Sequence, residues 1–374
     1  MAAQTIAGYT TPLLQLNYDC LIQIFQWLDL KSCINAEEAY DELQCVADWT
    51  YKRKFTKLTF DFAEPIDLIF HHVGPFIVSL TLILDKIIYT EKQLRKIQDA
   101  CTQLKRLTLK GFHRCAVKTI PFCSKLEMLS LSGCFLENDA DFFDTFKNLK
   151  CLSISECRDV SIIAMRKCIE NNPGITSFTC DEEYLNYSSL LSLLPNLERL
   201  CLDIDNRHLE FMFLTKLNKV QSLTLFCAYT SANNILTNLL ELNVLQKLEL
   251  INVKIDENTY EIIKSLDKLQ SLVITTSACE FNTSVALPPK IKYLRLGGFQ
   301  VSLHKITSLF KRLQHLQNLH FSDCILDHKG TFVTDFKTLS EVIAQCQLFE
   351  ASRPLHVICT FSGGYTLEVN YLNN

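Results

Sequence analysis

The chain has 374 residues, and its 37 basic against 41 acidic side chains leave a formal net charge of −4 and an isoelectric point near 6.2. That balance excludes a dedicated nucleic-acid binder, whose footprint is a strongly basic face. No apolar run approaches the roughly 20 residues needed to span a bilayer, and the start does not resemble a secretory signal, so a soluble protein of the cytoplasm, the nucleus or both is expected.

Residues 1–12 are expected to form a flexible start and residues 13–54 a small helical domain. Within it the chain reads Leu16-Asn-Tyr-Asp-Cys-Leu21-Ile-Gln-Ile24-Phe25-Gln-Trp-Leu28-Asp-Leu30, then Lys31-Ser-Cys-Ile34 and a polar helical stretch through Trp49. Leu21, Ile24, Phe25 and Leu28 make one apolar helical stripe, and Asp19 lies near its start, where an acid suits the N-terminal dipole. About 50 residues are too few to bury such a face well, which directs it toward a partner surface.

From Phe55 a large apolar residue followed three and five positions later by two more recurs twelve times. The clearest copies are Leu126-Glu-Met-Leu129-Ser-Leu131-Ser-Gly-Cys134, Leu149-Lys-Cys-Leu152-Ser-Ile154-Ser-Glu-Cys157 and Leu316-Gln-Asn-Leu319-His-Phe321-Ser-Asp-Cys324. They match the L-x-x-L-x-L-x-x-N/C signature of leucine-rich repeats. Further copies begin at Phe55, Ile77, Leu104, Ile175, Leu197, Val220, Leu245, Leu269 and Ile291, so successive starts lie 22 to 27 residues apart. Alternation drives Leu129 and Leu131 inward and turns Met128, Ser130 and Ser132 outward, as in a short strand. Return segments carry helical spacing at Val160, Ile163, Cys168 and Ile169; at Ile235, Leu236, Leu239 and Leu240; at Ile262, Ile263 and Leu266; and at Leu303, Ile306, Leu309, Phe310 and Leu313. Pro173, Pro195 and Pro288-Pro289 fall just before the next strand, where a helix must stop. The expected fold over residues 55–352 is an α/β leucine-rich-repeat solenoid, with a parallel sheet on its concave face and helical returns on its convex face.

After Pro354 two alternating runs, Leu355–Phe361 and Tyr365–Tyr371, flank Ser362-Gly363-Gly364 and read as a β-hairpin. Residues 353–374 are expected to cap the open edge of the sheet, since an uncovered edge invites association.

The seventeen cysteines contain no C-x-x-C pair, and Cys134, Cys157 and Cys324 stand at the repeat's own N/C position, so buried reduced thiols are expected. The sequons at Asn186 and Asn282 are chance matches by the same logic. No phosphate-binding, zinc-protease or nucleophile-elbow motif occurs. His71-His72 has no Cys or carboxylate at ligand spacing and reads as surface histidine rather than metal ligand. Lys105, Arg106, Lys110, Arg114 and Lys118 read as a solvated face. The chain is expected to bind rather than catalyse, without cofactor, metal, nucleic acid or membrane.

The segment from Leu16 resembles the F-box, whose familiar form is L-P-x-E-L-L-x-x-I-F-x-x-L-x-L followed by V-C-x-x-W, and the order of F-box then repeats is similar to the F-box and leucine-rich-repeat family across nearly the whole chain. Leu16, Leu21, Ile24, Phe25, Leu28 and Leu30 stand at the apolar positions, with Asn17 in place of the usual proline and Asp19 in place of the usual acid. An ungapped register puts Ala39–Leu43 on V-C-x-x-W, whereas Cys45-Val46-Ala-Asp-Trp49 is more similar but needs about six extra residues. The resemblance implies that those six apolar residues dock on the Skp-type adaptor, and through it a cullin, of an SCF ubiquitin ligase. The repeats would then hold a protein substrate for ubiquitination and proteasomal degradation. The alternative is a leucine-rich-repeat scaffold or inhibitor outside any ligase, with residues 16–50 serving only as a cap. An inositol-phosphate cofactor, suggested by some plant relatives, is not expected, because Lys57, Arg106, Lys110, Arg199, Lys247 and Arg295 are widely separated on the inner rows.

Where a substrate would sit follows from the outward rows of the strands. Between Leu126 and Ile175 these are small and polar, namely Ser130, Ser132, Ser153, Ser155, Ser177 and Thr179. Between Val220 and Ile291 they present Phe226, Lys247, Glu249, Ile251, Val273, Tyr293 and Arg295, gathered by strands about 4.8 Å apart. Phe226 and Tyr293 are the expected anchors, with Lys247 and Arg295 selecting an acidic or phosphorylated group. The competing possibility is that some of these face the core or are scattered exposed side chains.

Overall fold

The computed structural model describes residues 12–61, 66–83, 91–111, 125–136, 140–181, 188–204, 217–227, 236–237, 239–282, 284, 286–303, 309, 312–328, 331–332, 355–361 and 366–371. Residues 1–11 of the expected flexible start lie outside these, as do Arg114, Lys118, Asn186, Ile235, Ile306, Phe310 and the hairpin turn at 362–365. The chain forms two compact units, Met1–Asn172 and Pro173–Asn374.

The first unit opens with three helices, α1 Tyr18–Trp27, α2 Leu30–Ala39 and α3 Gln44–Lys54. Asn17, at the position of the family's proline, caps α1 by accepting from the Cys20 N–H at 2.9 Å. Asp29 caps α2 from the Ser32 N–H at 2.7 Å, and that bond holds its carboxyl below the usual range. At the other end of α1 the Lys54 ammonium donates to the Gln26 carbonyl at 2.9 Å, satisfying a group the helix leaves open. The helices close a core of their own from Leu21, Phe25, Cys33, Ile34, Leu43, Val46, Ala47 and Tyr51. The segment, expected to be too small to bury its apolar face by itself, takes part of the covering surface from this same chain rather than from a partner. The extra surface is supplied by the first repeat, where Phe76 lies 6.1 Å from the Tyr51 ring.

Five strands follow in this unit, β1 Lys57–Asp61, β2 Ser79–Ile83, β3 Arg106–Lys110, β4 Met128–Ser132 and β5 Cys151–Ser155, each parallel to the next in chain order. Leu80 and Leu82, Leu107 and Leu109, Leu129 and Leu131, and Leu152 and Ile154 form two buried columns, while Leu104, Leu126 and Leu149 form a third. Each such side chain contributes about 1.5–3 kcal/mol of burial, so every turn is stabilised by its neighbours rather than by itself. Helices α4 Ile66–Val73, α5 Glu91–Ala100, α6 Ala140–Asp144 and α7 Ile162–Asn171 form the returns. On α7 the buried side chains are Ala164, Met165, Cys168 and Ile169; Ile163, expected inward, is exposed, because the helix starts one residue after its Ser161 cap and sets its own phase.

After a strand the chain turns through a left-handed residue, Gly133 at φ 62° and Glu156 at φ 54°, and places the next residue, Cys134 or Cys157, inside. The Cys134 thiol donates to the Leu109 carbonyl at 3.4 Å, so it serves the turn without a disulfide. All fourteen described cysteines are free thiols. Of the expected basic cluster, Lys105 pairs with Glu127 at 3.3 Å, and Glu127 also takes Lys150 at 2.9 Å.

Asn172 is the buried polar residue that ties a return to its strand. Its Nδ2 donates to the Phe146 and Cys168 carbonyls at 2.8 and 2.7 Å, and its Oδ1 accepts from the Leu149 N–H at 2.8 Å. Asn172→Ala strands these groups away from water and is expected to destabilise the protein by about 3 kcal/mol. Urea denaturation checks this, and a midpoint equal to wild type would show that the bonds contribute nothing.

The second unit contains β6 Ser177–Cys180, β7 Arg199–Ile204, β8 Ser222–Cys227, β9 Lys247–Ile251, β10 Ser271–Glu280, β11 Tyr293–Ser302, β12 Asn318–Ser322, β13 Ile325–His328, β14 Thr331–Phe332, β15 Leu355–Thr360 and β16 Thr366–Tyr371. Its described helices are α8 Ser188–Leu191 and α9 Glu257–Lys264, the latter opened by a capping box in which Asp256 accepts from the Thr259 N–H at 2.9 Å. Strands β6 to β12 run parallel in chain order and β15 continues them beside β12, with β16 antiparallel on β15. The hairpin therefore supplies one further repeat-like strand and one reversed strand.

Strands β10 and β11 are ten residues long because they bend instead of ending. Pairing shifts between Thr275 and Cys279, opposite Gly298 at φ 71°, and resumes with Cys279 beside Phe299. Beyond this bulge β11 pairs with β13, and β13 with β14. Nothing in the repeat pattern announces that second ladder.

Candidate partner-binding surfaces

On α1 and just beyond its ends the expected adaptor residues divide between covered and open sides. Leu21 and Phe25 turn into the core against α3, Phe25 with no exposed surface. Leu28 and Leu30 are half-buried, while Leu16 and Ile24 are exposed. The expectation of one outward stripe through Leu21, Ile24, Phe25 and Leu28 is corrected on this point. Its apolar arc is wide enough to wrap from the covered side of the helix to the open side. The outward side is completed by Trp27, which was not selected from the sequence: three residues after Ile24 on the same face, it is 89% exposed, whereas the exposed Tyr18 reaches toward α3 and donates to the Cys45 carbonyl at 3.4 Å. The i, i+3 spacing of Ile24 and Trp27 was the available signal.

Between the helices and the first repeat lies an acidic depression of about 830 Å³ with Glu37, Glu38, Asp41 and Asp48 on its walls. His72 closes one side, its Nδ1 2.9 Å from Glu37 and its Nε2 3.6 Å from Glu38, and the Tyr51 hydroxyl donates to Glu37 at 2.8 Å. Burial first, then the Glu37 charge, raises the Asp48 carboxyl above its usual range. His72 is thus a partly buried bridge and His71 an exposed neighbour, and no cluster of three or more possible metal ligands occurs among the described residues.

In the second unit, parallel register brings most of the sequence-selected residues of the sheet face together. Lys247, Glu249, Ile251, Val273, Tyr293 and Arg295 line one depression of about 440 Å³, together with Ser271 and Thr275. Phe226 stands beside Ile251 in the pairing of β8 with β9 and is 41% exposed. Val273, expected outward, is only 5% exposed, since Glu249 and Arg295 flank it in register and cover it; it forms the floor.

The charges of this face are not equivalent. Lys247 is paired to Glu249 at 2.8 Å, and Glu249 also accepts from the Thr224 hydroxyl at 3.0 Å. Arg295 Nε donates to the Ser322 hydroxyl at 3.2 Å, and Arg295 has no carboxylate partner among the described residues. Beside it, His320 lies 2.8 Å from the Thr360 hydroxyl. Burial first, and the Arg295 charge second, hold that imidazole below its ordinary value of 6.5 and so favour its neutral form. Thr224, His320 and Ser322 were not selected from the sequence, because their roles depend on neighbours one repeat away.

Parallel strands recurring with the leucine-rich period, backed by helical returns and preceded by three helices, define a leucine-rich-repeat solenoid with an all-α N-terminal segment. No protein-family model and no curated protein matches the chain. Among solved structures it is similar to an internalin from Listeria monocytogenes, with 14% identity and a TM-score of 0.45 over 96% of this chain and 93% of that one. It is also similar to a chain of the Drosophila Toll–Spatzle complex, with 14% identity and a TM-score of 0.45 over 73% of this chain and 36% of that one, so it spans about a third of that relative's length. A chain of the yeast Rad7–Elc1 complex is similar at 16% identity and a TM-score of 0.44, over 84% of this chain and 90% of that one.

Proposed function

We propose that this protein is the substrate-recognition subunit of an SCF-type cullin ubiquitin ligase, working in the cytoplasm, the nucleus or both. Its N-terminal helices dock on the Skp-type adaptor, and through it the cullin, while the sheet face of the repeats holds a protein substrate. The observation that carries the proposal is the apolar surface left exposed at Leu16, just before α1, and at Ile24 and Trp27 on its outward side, although the module beneath them has already closed its core. Folding makes little use of Trp27 at 89% exposure, and an exposed aromatic beside partly exposed aliphatic side chains is the composition of a binding anchor. The F-box-like order of residues from Leu16 to Leu30 supplies the identity of the partner. The chain performs no chemistry in this role. It raises the effective concentration of substrate lysines near the charged conjugating enzyme.

The test is co-purification of the adaptor with the full chain and with Ile24→Asp/Trp27→Ala. With Trp27 89% and Ile24 36% exposed, the variant is expected to stay folded with a small fall in melting temperature and to lose at least tenfold in adaptor binding, as removal of about 2 kcal/mol of hot-spot energy implies. A folded variant that retains the adaptor fully, or a wild-type chain that captures none, overturns the proposal.

A further inference from the structure

The sheet face of the second unit discriminates among acidic partners more narrowly than its two cations suggest. Lys247 is already neutralised by Glu249 at 2.8 Å, and Glu249 is held by Thr224, so that pair is a fixed part of the wall. Arg295 keeps its terminal nitrogens for a ligand, because its one described hydrogen bond, to Ser322, uses Nε. Lys247, Glu249 and Arg295 therefore sum to a single positive charge in the depression. A guanidinium fork suits one carboxylate, whereas a phosphate dianion brings a second negative charge into a depression that already holds Glu249.

Apolar surface lies at a defined distance from that fork. Ile251 is two strands and one outward row away from Arg295, and Phe226 three strands and one row. With strands about 4.8 Å apart and rows about 6.8 Å apart, the separations are roughly 12 and 16 Å. An extended chain advancing about 3.3 Å per residue covers them in four or five residues.

We infer that this face takes an extended segment of a partner protein in which one Asp or Glu carboxylate seats on Arg295 and a large apolar side chain four or five residues away packs on Ile251 and Phe226. This rests on reading the sheet face as the place where a partner is held. It deepens that reading by choosing a single carboxylate over a phosphorylated residue. Gly297 lies buried beside the fork under the side chains of Thr275 and Ser322, since a Cβ there would meet the Thr275 methyl at 2.7 Å and the Ser322 hydroxyl at 2.8 Å.

The experiment uses the full chain and a synthetic library of twelve-residue peptides carrying one Glu and one Leu or Phe at offsets of two to eight, with phosphoserine replacing Glu in a parallel set. Binding is expected to peak at offsets of four and five and to favour Glu over phosphoserine. Arg295→Gln and Phe226→Ala should each weaken the best peptide at least tenfold. Glu249→Gln should raise phosphoserine binding more than Glu binding. No binding at any offset, a peak elsewhere, a preference for phosphoserine, or insensitivity to Arg295→Gln overturns the inference. Adaptor co-purification is measured on the same samples. Peptide failure with the adaptor retained rejects this inference alone, and peptide success without the adaptor rejects the ligase proposal alone.

Discussion

Phe25→Ala is expected to destabilise the N-terminal helices by about 3–5 kcal/mol and to act on folding, not on a surface. The side chain has no exposed area and lies in the core that α1 shares with α3, while its carbonyl accepts from the Cys33 thiol of α2 at 3.8 Å. Truncation to a methyl removes most of an aromatic ring's burial and leaves a cavity between helices whose positions are set by their caps, so collapse around it is limited. Amide hydrogen exchange should accelerate over Tyr18–Trp27 and Gln44–Lys54 before it does over β2 to β5, which are stabilised by their own buried columns. Adaptor binding should fall with it, but in proportion to the unfolded fraction. Trp27→Ala offers the contrast, because loss of a side chain 89% exposed leaves the fold in place. Wild-type exchange in Phe25→Ala would mean that this ring does not hold the helices together.

Gly298→Ala is expected to cost about 3 kcal/mol through the bulge between β10 and β11. The glycine sits at φ 71°, a conformation that an L side chain rarely adopts. A Cβ there would collide with the Thr276 carbonyl oxygen, a backbone atom that cannot swing aside as a side chain would. To admit it, β10 must separate from β11 on the line that places Val273 beside Arg295, so the sheet-face depression should loosen with the fold. Denaturant midpoint and proteolysis of the second unit measure the effect. Gly174→Ala is the control, since nothing lies within 4 Å of its added carbon. Equal stability of the two variants would show that the bulge tolerates a side chain.

The repeat was legible in the sequence because its signal is local. Residues three and five positions apart occupy buried columns whichever strand they belong to, and the register of one repeat on the next follows from aligning identical patterns. Arg295, Tyr293, Val273, Lys247 and Glu249 could therefore be grouped on one face from spacing alone, and parallel pairing does group them. The bend of β10 and β11 was not legible, because only Gly298 and the pairing shift opposite it mark the place.

The apolar content of α1 was equally plain from the sequence, but which side of it is buried was not. Leu21, Ile24, Phe25 and Leu28 fall within one arc, and only the position of α3 decides that Phe25 is covered while Ile24 meets solvent. Likewise Lys247 and Arg295 are equal as letters. A partner two residues away neutralises the first, whereas the second meets Ser322, 27 residues on, and no carboxylate among the described residues. Periodicity alone determined the solenoid and the membership of its outward rows, since both follow from backbone geometry repeated along the chain. Burial and charge pairing waited for the tertiary structure, because each depends on which distant side chain arrives within a few ångströms.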